Sequence, residues 1–159
     1  MNFSPKPLKF APGIWVAVMD ELKRRGERVR ETGAFLLAKR GLEELIVADW
    51  ISYDDLEPGA SHRGFVSLGP NAFSLLWAIC DRRGVQVIAD VHTHPKGPGQ
   101  SSSDRAFPMV SLPGHIALIV PRYGHGTITP KDVSFNVYLG DGKWFSCWGK
   151  DADALILAP

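Results

Sequence analysis

The chain has 159 residues and a formal net charge of +1, and 45% of its residues are hydrophobic. This length predicts one domain, residues 1–159. Because basic and acidic residues almost cancel, the charge gives no reason to expect a nucleic acid or an anionic membrane as the main partner. Cys80 and Cys147 lie too far apart for a C-x-x-C motif, so we expect two buried thiols in a reducing compartment.

The N-terminal segment has prolines where a signal peptide has its apolar core. No apolar run approaches the roughly 20 residues that a membrane span needs. We therefore expect a soluble cytoplasmic protein, whose oligomeric state the sequence does not predict.

Hydrophobic spacing predicts strands interleaved with helices. In chain order we expect a helix over 14–25, a hairpin of strands 29–39 and 44–53, a loop over 54–59, a strand over 63–68, a helix over 70–83, a strand over 85–94, a short helix from about 104 to 109, a strand over 115–121 and a hairpin over 132–148. This order predicts an α/β (α+β) domain with a mixed β-sheet flanked by helices.

Two histidines end the strand over 85–94. Strand alternation puts His92 and His94 on one face, with their backbone attachments about 7 Å apart, so both imidazoles can bind one ion. A catalytic zinc ion takes three protein ligands, so a third ligand is expected nearby.

Asp104 is the natural candidate for the third ligand. Residues 95–99 (PKGPG) cannot extend the strand, and the serines at 101–103 are good helix N-caps, so the chain turns back and brings the start of a helix to the histidines. A site with two histidines and one aspartate suits Zn²⁺, which lowers the pKa of a bound water to about 7.

Such a site also needs a base. Glu31 begins a strand-like run in which Gly33, Phe35 and Leu37 share its face, so its carboxylate is expected to point toward the buried side of the sheet. Apolar neighbours there raise the pKa of a carboxyl group. Glu43 and Glu44 are rival carboxylates, although they lie at or beside a turn.

Two other metal-dependent families do not fit the sequence. Cytidine-type deaminases need H-x-E and P-C-x-x-C, which are both absent. Barrel hydrolases that begin with D-x-H-x-H need at least ~200 residues.

The motifs E-T-G-A-F-L-L-A from residue 31, H-T-H-P at 92–95 and S-S-S-D at 101–104 resemble those of the JAMM (MPN-type) zinc metalloproteases. The pattern of that family is a strand glutamate, then H-[ST]-H-P, a loop and S-x-x-D. The likeness covers roughly residues 28–150, and M-V-S-L-P-G-H-I-A-L-I-V-P at 109–121 is similar to the prokaryotic JAB branch. It implies an MPN/JAB-like, cytidine-deaminase-like three-layer fold.

The resemblance implies that His92, His94 and Asp104 bind one catalytic zinc ion and that Glu31 is the general acid/base. It also implies a serine that stabilises the oxyanion. Counting back from Asp104 by S-x-x-D gives Ser101, whereas the seven residues that usually follow the second histidine lead to Ser102. We prefer Ser101, because one helical turn brings positions i and i+3 together.

Relatives cleave peptide or isopeptide bonds after the Gly-Gly tail of ubiquitin or a ubiquitin-like protein, so the resemblance implies that reaction and that partner. Residues 57–63 and 95–100 are expected to wall the substrate groove. Two alternatives stay open: a catalytically silent scaffold that docks a partner, and a hydrolase of sulfur-carrier-protein adducts. His62, Arg63, His115 and His125 are expected to be structural or exposed, and Trp144 and Trp148 to be packing residues.

Overall fold

The computed structural model describes residues 3–61, 66 and 68–159. The elements in this part of the chain are β1 (Leu8–Phe10), α1 (Ile14–Gly26), β2 (Gly33–Lys39), β3 (Leu45–Val47), β4 (Asp49–Ser52), α2 (Tyr53–Leu56), α3 (Pro70–Arg83), β5 (Val85–Thr93), α4 (Ser102–Ala106), β6 (Ile116–Val120), β7 (Ser134–Gly140), β8 (Lys143–Cys147), α5 (Lys150–Leu155) and β9 (Ile156–Leu157). Of the predicted strand over 63–68, only Val66 and Leu68 belong to the described residues, and His62 and Arg63 lie outside them. No helix in the described ranges is long and apolar enough to cross a membrane.

The central sheet is mixed, as predicted, and its six strands follow the order β4-β2-β5-β6-β7-β8. Only β5 and β6 run parallel, and the other neighbours are antiparallel. The pairing of β2 with β5 sets Gly33 opposite His92. This register brings the start of β2 to the end of β5, where the histidines lie.

Helices cover both faces of the sheet. On one face, α1 buries Trp15, Val18, Met19 and Leu22 against alternate residues of the strands. On the other face, α3 contributes Ala72, Leu76 and Cys80 to a second cluster that contains Phe35 and Leu37. Because both faces are covered, six consecutive residues of β2 are buried, which explains its continuous apolar sequence.

The predicted helices over 14–25 and 70–83, the strands over 85–94 and 115–121, and the closing hairpin are confirmed within one or two residues at most ends. The predicted strand over 29–39 begins only at Gly33. The N–H groups of Val29 and Arg30 both donate to the carbonyl of Gly26 and close the end of α1. These residues are therefore engaged in a turn and are not available to the sheet.

Three further predictions need correction. The run 44–53 divides at Ala48 into β3 and β4, because β3 pairs with β1 while β4 pairs with β2. The segment 54–59, predicted as a loop, begins within the short helix α2. Helix α4 starts at Ser102 and ends at Ala106, because Pro108 disfavours helical backbone at Phe107.

A second sheet was not predicted. Its three parallel strands follow the order β3-β1-β9. Each contains only two or three residues, which is too short for alternation of polar and apolar residues to be recognised.

Gly33 leaves the space that the Tyr53 ring fills. A Cβ at this position would overlap the Cε2 atom of Tyr53 and lie 2.8 Å from the carbonyl oxygen of Val91. We expect Gly33→Ala to lower the free energy of unfolding by about 1–3 kcal/mol, the usual cost of overpacking a core. Denaturant unfolding measures this change.

Gly97→Ala is the matched control, because a Cβ at Gly97 meets nothing within 4 Å and its φ is not in the left-handed region. It should leave the stability unchanged or slightly raised. An equal loss in both variants would show that the space beside Tyr53 is not what requires glycine at position 33.

Candidate metal centre

The two histidines lie on one face at the end of β5, as strand alternation predicts. His92 is the next-to-last residue of the strand and His94 follows it directly. The N–H of His94 donates to the carbonyl of Val120 at 2.8 Å, so the backbone stays anchored to β6 beyond the end of the strand. The Nε2 atoms of the two imidazoles are 3.2 Å apart.

A reciprocal capping box presents Asp104 to these histidines. The Asp104 N–H donates to Ser101 Oγ at 3.0 Å, and the Ser101 N–H donates to Asp104 Oδ2 at 2.8 Å. These two hydrogen bonds orient the Asp104 carboxylate toward the end of β5. Asp104 Oδ1 lies 3.3 Å from His92 Nε2, and Asp104 Oδ2 lies 3.1 Å from His94 Nε2.

Side chains of the closing hairpin hold the loop and helix that carry Asp104. Ser134 Oγ donates to the carbonyl of Pro98 at 2.6 Å, and Trp144 Nε1 donates to the carbonyl of Arg105 at 3.0 Å. Trp144, predicted to be a packing residue, therefore also fixes α4. Trp148 is 63% exposed, so its predicted packing role is wrong.

The three side chains fit a zinc ion in donor type and in spacing. Two ligand atoms at about 2.0–2.1 Å from a tetrahedral ion are roughly 3.3–3.4 Å apart. The distances among His92 Nε2, His94 Nε2 and the nearest Asp104 oxygens are 3.1–3.3 Å. His92, His94 and Asp104 are thus close enough to bind one metal ion, and a set of two imidazoles and one carboxylate suits zinc.

Neighbouring charges of opposite sign shift the pKa values of His92 and Asp104. Burial lowers the pKa of the His92 imidazole, but the carboxylates of Asp104 and Asp90 outweigh that effect and raise this pKa to about 10. Burial raises the pKa of Asp104, but hydrogen bonds with His92 and His94 bring it far below its usual range. A metal ion that binds His92 must displace a proton, as is general for imidazole ligands.

Glu31 is held beside the histidines by its neighbour in the chain. Thr32 and Thr93, both fully buried, exchange two bonds: the Thr93 N–H donates to the Thr32 carbonyl at 2.8 Å, and the Thr32 N–H donates to Thr93 Oγ1 at 2.9 Å. The register of β2 and β5 thus continues past Gly33 and sets Glu31 across from His94. Burial raises the pKa of the Glu31 carboxyl group, while His94 and His92 oppose that change.

One cavity of about 380 Å³ is lined by the five preferred site residues, Glu31, His92, His94, Ser101 and Asp104. The lining side chains are Glu31, Val66, His92, His94, Pro95, Ser101, Ser103, Asp104, Phe107 and Met109. Ser102 is exposed and does not line this cavity. The rival carboxylates Glu43 and Glu44 lie on the bend between β2 and β3 and do not line it either.

Three buried residues lie behind His92, and none of them was predicted to belong to the site. Asp90 lies two residues before His92 on the same strand face, its Oδ1 is 2.6 Å from His115 Nε2, and its Oδ2 accepts a hydrogen bond from the Tyr53 hydroxyl. The alternation that pairs the two histidines also selects Asp90. Tyr53 and His115 carry no comparable sequence signal, because both reach Asp90 from distant parts of the chain.

Comparison with known proteins assigns the chain to a family. Residues 16–132 match the family model described as prokaryotic homologs of the JAB domain. A solution structure of a protein from Desulfitobacterium hafniense has a TM-score of 0.63 and 13% identity over 96% of this chain and 93% of that chain. A solution structure of a protein from Salinibacter ruber has a TM-score of 0.63 and 18% identity over 96% of this chain and 92% of that chain. These identities show a common fold alone, whereas the family model spans Glu31, the two histidines and Asp104. The chain belongs to the family of prokaryotic homologs of the JAB domain.

Proposed function

We propose that this protein is a zinc metallopeptidase that hydrolyses the peptide or isopeptide bond after the Gly-Gly tail of a ubiquitin-like protein. One observation carries the proposal: Glu31, Ser101 and the three candidate metal ligands line the same cavity. Within it, the donor atoms of His92, His94 and Asp104 have the spacing of tetrahedral zinc ligands. A docking scaffold needs neither a metal site nor a base beside it.

Zinc, when bound by His92, His94 and Asp104, lowers the pKa of water and polarises a carbonyl group. Glu31, half-buried at the cavity wall, accepts a proton from the attacking water and delivers it to the departing amine. Ser101 donates a hydrogen bond to the developing oxyanion. Its oxygen accepts the Asp104 N–H, which leaves the hydroxyl hydrogen free to donate.

The walls of the cavity support an extended, small-residue substrate. Pro95, Phe107 and Met109 line the cavity together with the candidate metal ligands. Glycine residues, which have no side chains, let a peptide backbone approach the ligands closely between such walls. We propose a cytoplasmic ubiquitin-like protein or its conjugate as the partner, and neither a nucleic acid nor a membrane.

A substrate panel tests the proposal. Zinc-loaded wild type, with zinc counted by elemental analysis, is incubated with a ubiquitin-like protein joined through Gly-Gly to a reporter, with a lysine-linked conjugate, and with a sulfur-carrier protein bearing a thioester adduct. We expect cleavage directly after the second glycine, seen as the free tail by mass spectrometry, and its loss after zinc is removed by a chelator.

Each other outcome has a definite meaning. Cleavage of the thioester adduct alone would replace the peptidase by an adduct hydrolase. Stoichiometric zinc without cleavage of any panel member would refute this substrate class. Absence of zinc after reconstitution would refute the enzyme and leave the scaffold.

The oxyanion role predicts a difference between two adjacent serines. Ser101→Ala is expected to lower kcat by about 10²–10³-fold, the usual effect of one oxyanion donor, and stability by about 1 kcal/mol through loss of the helix cap. Ser102→Ala should change neither, because Ser102 lies outside the cavity. Steady-state kinetics at equal zinc content measures both. A large loss in Ser102→Ala with an active Ser101→Ala would reverse the assignment.

A further inference from the structure

The strand that carries His92 also carries a buried carboxylate behind it. Asp90 is 1% exposed and shares the strand face of His92. The Nε2 atom of His92 faces His94 and Asp104, whereas its Nδ1 atom lies 3.7 Å from Asp90 Oδ2. Each of the two nitrogens of this imidazole therefore faces one carboxylate.

Two other elements hold the Asp90 carboxylate in place. The hydroxyl of Tyr53, the first residue of α2, donates to Oδ2 at 3.2 Å. The Nε2 atom of His115, just before β6, lies 2.6 Å from Oδ1. Both side chains are buried. The Tyr53 ring reaches Asp90 through the space that Gly33 leaves open.

Stability alone does not require such a network. Desolvating a charged group costs several kcal/mol, and well-packed apolar side chains can often replace a buried ion pair without loss of stability. Asp90, Tyr53 and His115 come from three separate segments and converge on the reverse side of a metal ligand. This convergence points to a role at the metal centre.

We propose that Asp90 is a positioning residue, which holds the His92 imidazole in the tautomer and orientation that direct Nε2 at the metal ion. An imidazole that binds a metal through Nε2 keeps its hydrogen on Nδ1, and a carboxylate on that side favours this tautomer and fixes the ring. The 3.7 Å separation is longer than a hydrogen bond, but it still favours a hydrogen on that nitrogen in a buried setting. Tyr53 and His115 in turn fix the carboxylate.

The test is the zinc affinity of Asp90→Asn. This variant keeps the size of the side chain and removes its negative charge. We expect zinc to bind about 10–100-fold more weakly, the usual effect of removing a partner that orients a metal ligand. Competition with a chromogenic chelator measures the affinity without any substrate, and thermal unfolding of zinc-free protein measures stability separately.

Trp15→Phe is the matched control. It removes the hydrogen bond from buried Trp15 Nε1 to the carbonyl of Ile128, on the face of the sheet that α1 covers. We expect it to lower the melting temperature of zinc-free protein while zinc affinity stays at the wild-type value. A merely structural Asp90 would behave in the same way.

A second variant serves if Asp90→Asn does not fold. Tyr53→Phe removes one hydroxyl that holds Asp90 and should weaken zinc binding several-fold. If Asp90→Asn folds, wild-type zinc affinity in that variant would overturn the inference. If Asp90→Asn does not fold, wild-type zinc affinity in Tyr53→Phe would overturn it. The inference rests on the proposed metal site but not on its substrate. A wild type that binds no zinc would refute the site and the inference together, whereas missing cleavage would affect neither.

Discussion

Replacing Asp104 by asparagine is expected to remove most of the zinc affinity while helix α4 stays capped. The amide oxygen of Asn can still accept the Ser101 N–H that Asp104 Oδ2 accepts now, so the local backbone is retained. The negative charge between His92 and His94 is lost. We expect zinc affinity to fall by more than the roughly 10–100-fold that follows removal of a residue which only orients a metal ligand. Chelator competition and elemental analysis measure it.

The chain provides a matched control for this change. Thr129 and Asp132 form a second capping box, in which the Thr129 N–H donates to Asp132 Oδ2 at 2.8 Å. Asp132→Asn alters the same kind of cap, but Asp132 does not line the cavity of the metal centre, so zinc affinity should not change. Wild-type zinc affinity in Asp104→Asn would mean that the third ligand is another residue.

The clustering of the three candidate metal ligands was predictable because the signals behind it are local. Strand alternation requires only that His92 and His94 be two residues apart on an extended chain. The return of Asp104 follows from the Pro/Gly loop and from the preference of serine for helix N-caps. Both patterns lie within 15 residues of sequence and depend little on the remaining fold.

The position of Glu31 was predicted for a reason that is only half correct. The sequence indicates a strand from Val29 onward, but β2 begins at Gly33. Glu31 faces the histidines because Thr32 and Thr93 exchange hydrogen bonds beyond the end of that strand. Here a side-chain hydroxyl takes the place of a backbone carbonyl as the acceptor. Such a tertiary contact cannot be predicted from strand propensity.

The support behind His92 could not be predicted from local patterns. Tyr53 lies 37 residues before Asp90, and His115 lies 25 residues after it. Their meeting depends on the strand order β4-β2-β5-β6, which is a property of the whole sheet. The second sheet escaped prediction because its strands are too short to show a period.

Replacing Glu31 by glutamine is expected to lower kcat by about 10²–10⁴-fold, the usual contribution of a general acid/base, on whichever panel substrate the wild type cleaves. Glutamine keeps the shape of the side chain but cannot accept and return a proton at this position. Zinc content should stay at the wild-type value, because the three candidate ligands are His92, His94 and Asp104. Steady-state kinetics and elemental analysis on the same preparation measure both quantities.

Glu43→Gln is the control for the loss of one carboxylate. This variant should keep full activity, because Glu43 is exposed on the bend between β2 and β3. Because Glu31 lines the cavity without belonging to the metal cluster, its removal separates proton transfer from metal binding. Full activity in zinc-loaded Glu31→Gln would exclude Glu31 as the base. Loss of zinc together with activity would instead make Glu31 a participant in metal binding, and the proton acceptor would then have to be another group at the cavity.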